Sequence, residues 1–147
     1  LLRDAQGNAM SERMRDVVII GAGPAGSAAA ILLARAGWSV VLLEKESFPR
    51  RKVCGECVAA SNLPLLRALG VGDAFEAAAG PPLRKVALMS GARTIVADMP
   101  SSVAGAHGWG RALGRETLDV MLLERARAAG AEILQPWRLD AIEGQAG

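Results

Sequence analysis

The stretch VVIIGAGPAGSAAAILLARAGWSVVLLEKE limits the fold of this chain more than any other part of the sequence. Apolar runs at residues 16–20 and 39–43 are typical of strands buried in a parallel sheet. The segment between them, residues 24–36, predicts a helix, because Pro24 suits the first helical position and Gly37 suits a left-handed end. Such a crossover makes the two strands parallel neighbours, so the sequence predicts an α/β fold.

Three glycines, Gly21, Gly23 and Gly26, form the pattern GxGxxG between the first strand and the helix. In this pattern the first glycine allows a tight turn, the second lets the backbone approach a pyrophosphate, and the third lets helix and strand pack closely. The helix start at Pro24 and Ala25 directs the positive end of the helix dipole towards the phosphates. We therefore predict a dinucleotide site, with a purely structural glycine turn as the alternative.

Glu44 ends the second strand, at the distance from the glycines where dinucleotide-binding chains carry an acid. Its carboxylate can accept hydrogen bonds from an adenosine ribose, and we group Lys45 with it as a candidate cofactor-binding residue. A negative charge at Glu44 repels a ribose 2′-phosphate. The pattern does not separate FAD from NAD, because both cofactors carry the same adenosine diphosphate half.

The remaining elements follow from hydrophobic spacing. Residues 115–129 predict an amphipathic helix with Leu118 and Leu122 on its apolar face and Asp119 on another face. We also predict a short helix at residues 60–69 interrupted by Pro64, strands at residues 85–89, 94–97 and 131–135, and the start of a further strand at residues 137–142. Residues 1–15 are polar, and we expect a disordered leader there, followed by one domain over residues 16–147.

Composition narrows the class of protein. The chain has 147 residues, of which 51% are hydrophobic, so it can bury the core of one domain. Its net charge of +2 comes from interspersed acids and bases, which argues against a nucleic acid partner. No uninterrupted apolar run reaches the roughly 18 residues of a membrane span. The chain has two cysteines, which fits a reducing compartment, and we expect a cytoplasmic protein.

The segment DVVIIGAGPAGSAAAILLARAGWSVVLLEK resembles the amino-terminal fingerprint of FAD-dependent oxidoreductases with a Rossmann-like FAD/NAD(P)-binding domain. The segments RRKVCGECV and GRETLDVMLLERARAAGAEI resemble, more narrowly, the geranylgeranyl reductase group, which is similar to the aromatic-ring flavin monooxygenases and the flavin halogenases. The resemblance implies that Lys52, Cys54, Gly55 and Arg115 lie near the ribityl and flavin portion of FAD.

The same resemblance implies a function. Reduced FAD would pass hydride to an apolar, prenyl-like small molecule, with NAD(P)H or another donor supplying the electrons. A flavin monooxygenase, a halogenase, a truncated non-catalytic nucleotide-binding fragment, and a nucleotide-binding module that completes its site with a second chain remain alternatives. The group places a second phosphate-contacting motif, GDAA, at the end of the FAD domain, and this sequence lacks it. We therefore expect a sheet that is incomplete at its carboxyl end, with an unpaired edge and uncovered apolar surface.

Several other residues have two interpretations. Cys54 and Cys57 are a flavin-coupled redox dithiol, part of a flavin-lining loop, or two incidental thiols. Zinc is disfavoured because only His107 could join them. The basic run Arg50, Arg51 and Lys52 either neutralises the pyrophosphate or is a solvated turn. His107 and Trp109 are more typical of a passive loop residue and a half-buried anchor than of catalytic groups.

Overall fold

The computed structural model describes residues 2–4, 14–53, 56–99 and 108–141. In chain order the elements are β1 (Leu2–Asp4), β2 (Val17–Ile20), α1 (Pro24–Arg35), β3 (Val40–Leu43), β4 (Cys57–Val58), a 3₁₀ turn (Ala60–Asn62), α2 (Leu63–Leu69), α3 (Gly72–Ala78), β5 (Lys85–Ser90), β6 (Arg93–Asp98), β7 (Arg111–Ala112), α4 (Arg115–Ala128), β8 (Glu132–Leu134) and β9 (Trp137–Leu139). They divide into two compact units, residues 1–52 with 116–147, and residues 53–115.

The first unit is built on a three-stranded parallel sheet in the order β2, β3, β8. All four side chains of the central strand β3 are buried, because this strand has a neighbour on each side and α1 packs against it. The predicted parallel α/β architecture is therefore confirmed. Among the described residues β2 pairs only with β3, and its Val18 and Ile20 are 45% and 58% exposed, so the expected unpaired edge and uncovered apolar surface are present.

Helix α1 begins and ends close to the predicted residues. Pro24 stands in its first turn, and Gly37, just past its end, has a φ of +89° that favours glycine. Gly26 lies where the helix meets the preceding strand: a Cβ there would stand 1.9 Å from the carbonyl oxygen of Gly21. Glycine at this position therefore sets how closely α1 approaches the sheet.

Two parts of the first unit differ from the sequence-based expectation. Leu2–Asp4, which we placed in a disordered leader, forms β1 and pairs antiparallel with β9. Asp119, which we placed away from the apolar face of α4, is buried with Leu118 and Leu122. In both cases the cause is a partner far away in the sequence, which hydrophobic spacing within one segment does not reveal.

The second unit joins a small helical core to an exposed hairpin. Pro64 opens α2 rather than interrupting a longer helix, and the unpredicted α3 follows with Phe75 fully buried. The hairpin of β5 and β6 pairs Lys85 with Asp98 and Ser90 with Arg93, and all twelve residues of its two strands are exposed. None of the helices among the described residues is both long and apolar enough to cross a membrane.

Candidate functional site

The glycine loop connects β2 to an open helix terminus. The Gly21 N–H donates to the Leu43 carbonyl at 2.7 Å, which continues the β2–β3 ladder into the loop. Gly23 is the N-cap of α1, no side chain of the described residues caps this terminus, and the first turn carries no acid. The first amides of α1 and its positive dipole end are therefore available to an anion.

The three glycines of the loop meet different structural demands. Gly21 has a φ of +98°, a backbone conformation that residues other than glycine rarely adopt. Gly26 has no room for a Cβ. Gly23 has an ordinary φ of −71°, so its conformation does not require glycine. The role that the pattern predicts for Gly23 is to let a ligand approach the backbone.

Glu44 lies against this loop at the carboxyl end of β3. One carboxylate oxygen, Oε2, accepts from the Ala22 N–H at 3.0 Å, and the other, Oε1, accepts from the Glu46 N–H at 3.1 Å. The residue is only 3% exposed. A carboxylate has about four acceptor sites, so the amides of Ala22 and Glu46 fix its orientation and leave capacity for a ribose hydroxyl.

Two residues that we had not selected as site residues complete the surroundings of Glu44. A guanidinium nitrogen of Arg50, NH2, lies 3.4 Å from Oε2 of Glu44 and 3.9 Å from Oδ2 of Asp119. Asp119 is 1% exposed, and the Nε of Arg50 is buried without a hydrogen-bond acceptor among the described atoms. The Arg50 guanidinium also lies over the Phe48 ring, 4.9 Å from its centroid. In the sequence, the only signal for Arg50 was the basic run at residues 50–52, and the only signal for Asp119 was its place next to Leu118 in α4.

The structure separates the basic run into two environments. Arg50 points to Glu44, whereas Arg51 and Lys52 are exposed, and Arg51 makes a long 3.9 Å ion pair with Glu116. Lys45 is also exposed. The interpretation of a solvated turn therefore fits Arg51 and Lys52 but not Arg50.

The remaining predicted site residues are not part of this cluster. Pro24 and Ala25 lie in the first turn of α1 beside the loop, as predicted from the pattern. Cys54 and Gly55 lie outside the described residues, as does His107. Arg115 opens α4 and belongs to the second compact unit, whereas the glycine loop belongs to the first. Its contact with a cofactor stays a prediction.

The thiol and aromatic candidates lie in the second unit. Cys57 is an exposed free thiol in β4, and Trp109 is partly buried with the Arg84 guanidinium 4.4 Å from its ring centroid. Stacking on Arg84 fits the role of an anchor for Trp109. Within residues 2–4, 14–53, 56–99 and 108–141, no three His, Cys, Asp or Glu side chains are grouped to hold a metal ion.

These features fit the adenosine diphosphate half of a dinucleotide. An uncapped helix terminus suits the two phosphates, a glycine without conformational need suits their close approach, and a buried oriented carboxylate suits the ribose hydroxyls.

Comparisons with known proteins agree with this geometry. A family model described as an FAD binding domain matches residues 14–146. A flavin-dependent halogenase of Metacordyceps chlamydosporia is 35% identical over 86% of this chain and 23% of its own length, and a menaquinone reductase of Mycobacterium tuberculosis is 49% identical over 39% of this chain and 14% of its own.

Two solved structures have the same architecture. A geranylgeranyl bacteriochlorophyll reductase-like protein of Thermoplasma acidophilum superposes with a TM-score of 0.63 at 26% identity, over 81% of this chain and 29% of that one. A 2-methyl-3-hydroxypyridine-5-carboxylic acid oxygenase superposes with a TM-score of 0.66 at 28% identity, over 80% and 30%. The resemblance seen in the sequence is confirmed, and this chain spans less than a third of the length of each of these four proteins.

Proposed function

We propose that this chain, which belongs to the FAD binding domain family, holds the adenosine diphosphate half of FAD for a flavin-dependent oxidoreductase. The observation that carries the proposal is the contact between acid and loop: the Glu44 carboxylate accepts from the Ala22 N–H inside the glycine pattern. This contact supports the proposal because it holds a carboxylate beside the start of α1, and an acid near a helix terminus is the pair of features that the adenosine diphosphate half needs.

The residues of the chain have separate roles in this proposal. The amides of Gly23, Ala25 and Gly26 would bind the diphosphate, Pro24 would fix the first turn of the helix, and Glu44 would bind the ribose. Lys45, Lys52, Cys54, Gly55 and Arg115 remain proposed contacts for the rest of the cofactor. When bound, FAD would supply the redox chemistry, and the protein would position and electrostatically tune it.

For the whole protein, the resemblance to reductases supports a more specific proposal about the reaction, its substrate and its electron donor. It would be hydride transfer to an apolar, prenyl-like substrate in the cytoplasm, with NAD(P)H as the electron donor and the rest of the site supplied by further chain. Flavin-dependent halogenation or monooxygenation is the alternative, and the broad match to the halogenase favours it. The glycine loop and Glu44 serve all three reactions, because the adenosine diphosphate half is common to them.

Titration of the purified chain with ADP-ribose and with FAD tests the proposal. We expect Gly23→Asp to weaken ADP-ribose binding by about a hundredfold or more, because its carboxylate would occupy and repel the position of the diphosphate. Gly37→Asp is the matched control: it adds the same charge beyond the other end of α1, in a left-handed conformation that aspartate tolerates. A parent chain that binds neither ligand, or a Gly23→Asp variant that binds as tightly as the parent, would contradict the proposal.

A further inference from the structure

A polar side chain next to Glu44 has a buried oxygen without a partner. Among the described residues, three buried side-chain polar atoms have no hydrogen-bond partner: Nε of Arg15, Nε of Arg50 and Oε1 of Gln135. Arg15 precedes β2, at the amino end of the parallel sheet, whereas Gln135 directly follows β8, at the carboxyl end. Because Arg50 is paired with Glu44, two of these three atoms lie around the acid that we assign to the ribose.

The register of the sheet sets Gln135 beside Glu44. In the parallel pair of β3 and β8, Leu43 is the in-register partner of Leu134, and the Glu44 N–H donates to the Leu134 carbonyl at 2.9 Å. One residue further along each strand, Glu44 and Gln135 are neighbours, with their backbones about 4.8 Å apart. Both residues belong to the first compact unit. The two side chains therefore leave the same edge of one sheet.

The chain has an extra residue at this point. A continued parallel ladder would bring the N–H of residue 136 to the Glu44 carbonyl, but residue 136 is a proline, which has no N–H. The Trp137 N–H donates to that carbonyl instead, at 2.8 Å, so Gln135 and Pro136 together stand opposite Glu44. Such bulges redirect a side chain and are over-represented next to active sites.

The unpaired oxygen of Gln135 needs a donor. A buried carbonyl oxygen without a hydrogen bond destabilises the folded chain, and a ligand that supplies the donor removes this cost. Gln135 as a whole is partly exposed, and the last torsion of a glutamine side chain has only a broad preference. The carboxamide can therefore turn its oxygen towards a molecule bound at Glu44 without breaking a hydrogen bond of the described residues.

In the proposed complex, the donor that suits this oxygen belongs to the base. The donors of adenosine are its ribose hydroxyls and the exocyclic amino group, N6, of adenine, whose ring nitrogens are acceptors. We assign the ribose hydroxyls to Glu44, which leaves the amino group for Gln135. A glutamine carboxamide suits adenine, because it can accept from N6 while its own amino group donates to a ring nitrogen.

We propose that Gln135 selects adenine: its Oε1 accepts from the N6 amino group of the base whose ribose is bound by Glu44. A base with a carbonyl at this position, such as hypoxanthine, would place an acceptor against an acceptor. This inference rests on the proposed function, because it assigns a base selectivity to the same site. It adds a residue that neither the glycine pattern nor the acid at the end of β3 specifies.

The test is calorimetric titration of the full chain with ADP and with IDP, whose bases differ in the C6 substituent and at N1. We expect the parent to bind ADP about tenfold tighter or more, because IDP leaves the Gln135 oxygen unpaired. Gln135→Leu should weaken ADP binding about tenfold and IDP binding less than about threefold, which brings the ratio of the two dissociation constants close to one. A Gln135→Leu variant that keeps the ratio of the parent would overturn the inference.

Gln135→Glu keeps the test decisive if Gln135→Leu fails to fold. An ionised carboxylate is an acceptor in every orientation, whereas a carboxamide can also turn its amino group towards a carbonyl. We expect this variant to prefer ADP over IDP at least as strongly as the parent does. A ratio close to one in Gln135→Glu would overturn the role of the oxygen.

Arg138→Leu is the matched control, three residues further along the chain in β9. Its guanidinium pairs with Asp140, and its side chain is 78% exposed. Since solvent screens this position, we expect the ratio for ADP and IDP to stay within about twofold of the parent. A fall as large as that in Gln135→Leu would show that any change in this part of the chain alters the ratio, and would overturn the specific role of Gln135.

The outcomes separate this inference from the proposed function. If the parent binds neither ADP nor IDP, the proposed function fails together with the inference. If the parent binds both equally well, the site still holds a nucleotide and only the role of Gln135 is lost. The same holds if Gln135→Leu weakens ADP and IDP to the same extent, because the oxygen would then accept from a ribose hydroxyl rather than from the base.

Discussion

Strand β3 and the β5–β6 hairpin both contain large apolar residues, but these residues lie in opposite environments. Val40–Leu43 is apolar throughout and fully buried, whereas the hairpin exposes Val86, Leu88, Met89, Ile95 and Val96. The difference comes from neighbours: β3 has a strand on each side and a helix against it, and the hairpin strands pair only with each other among the described residues. Glu44, the acid that we assign to the ribose, directly follows β3, and the neighbouring strands and α1 hold β3 in place.

The largest expected difference between β3 and the hairpin is in how much a leucine-to-alanine substitution lowers the free energy of unfolding. Leu42 is fully buried and Leu88 is 70% exposed. Leu42→Ala should lower the free energy of unfolding by about 2–5 kcal/mol, because it leaves a cavity in the centre of the sheet. Leu88→Ala should lower it by about 0.5 kcal/mol or less. Urea unfolding of both variants checks this, and equal losses would mean that the hairpin is covered in solution.

A smaller contrast is expected between two glycines. Gly26→Ala places a Cβ against the Gly21 carbonyl and should cost about 3 kcal/mol, since either the helix or the loop must move. Gly91, in the hairpin turn, has a φ of +58° and open space around it, so Gly91→Ala should cost only about 1–2 kcal/mol of backbone strain. Thermal unfolding distinguishes the two, and a Gly26→Ala variant as stable as the parent would contradict the close packing of α1.

The smallest expected effect concerns the exposed hydrogen bonds between Asp16, just before β2, and Ser39, just before β3. The hydroxyl and the backbone N–H of Ser39 donate to Asp16, at 2.6 Å and 2.8 Å, and hold the pKa of this carboxyl below its ordinary value of 3.8. Because the folded-state pKa is lowered, the contribution to stability is present above pH 3.8 and is lost as the pH falls through the folded-state value. The stability difference between the parent and Asp16→Asn should therefore shrink over that range in urea titrations.

Ser39→Ala is the control for these hydrogen bonds. It removes the hydroxyl, which is the larger cause of the shift, and should return the pKa of Asp16 towards 3.8 in a carboxyl NMR titration. An unchanged pKa would mean that the backbone N–H alone produces the shift.

The parts of the fold that were predictable from the sequence are those that depend on local signals. β2, α1, β3 and α4 begin and end within a few residues of the predicted positions, because turn glycines, Pro24 and hydrophobic spacing act within each segment. The pairing of β4 with β7, which joins Cys57 to Ala112, has no such signal. Helix α3 was missed for the same reason: Arg111, far along the chain, donates to the carbonyl of Glu76 in the helix and to that of Gly80 just after it.

The candidate site shows the same division. The glycines and Glu44 were predictable, since the spacing of the pattern determines their roles. The ion pairs of Arg50 with Glu44 and Asp119 were not, because a charged residue in a basic run or on a helix is usually solvated, and only the proximity of these side chains in space shows the pairing.

The central claim, that the amides of the glycine loop bind the diphosphate of an adenine cofactor, is tested most directly by amide NMR of the labelled chain titrated with ADP-ribose. The account predicts saturable shifts at the amides of Gly23, Ala25 and Gly26 and at Glu44, with no change along the β5–β6 hairpin. No shifts at saturating ligand, or shifts that leave the glycine loop unaffected, would contradict it.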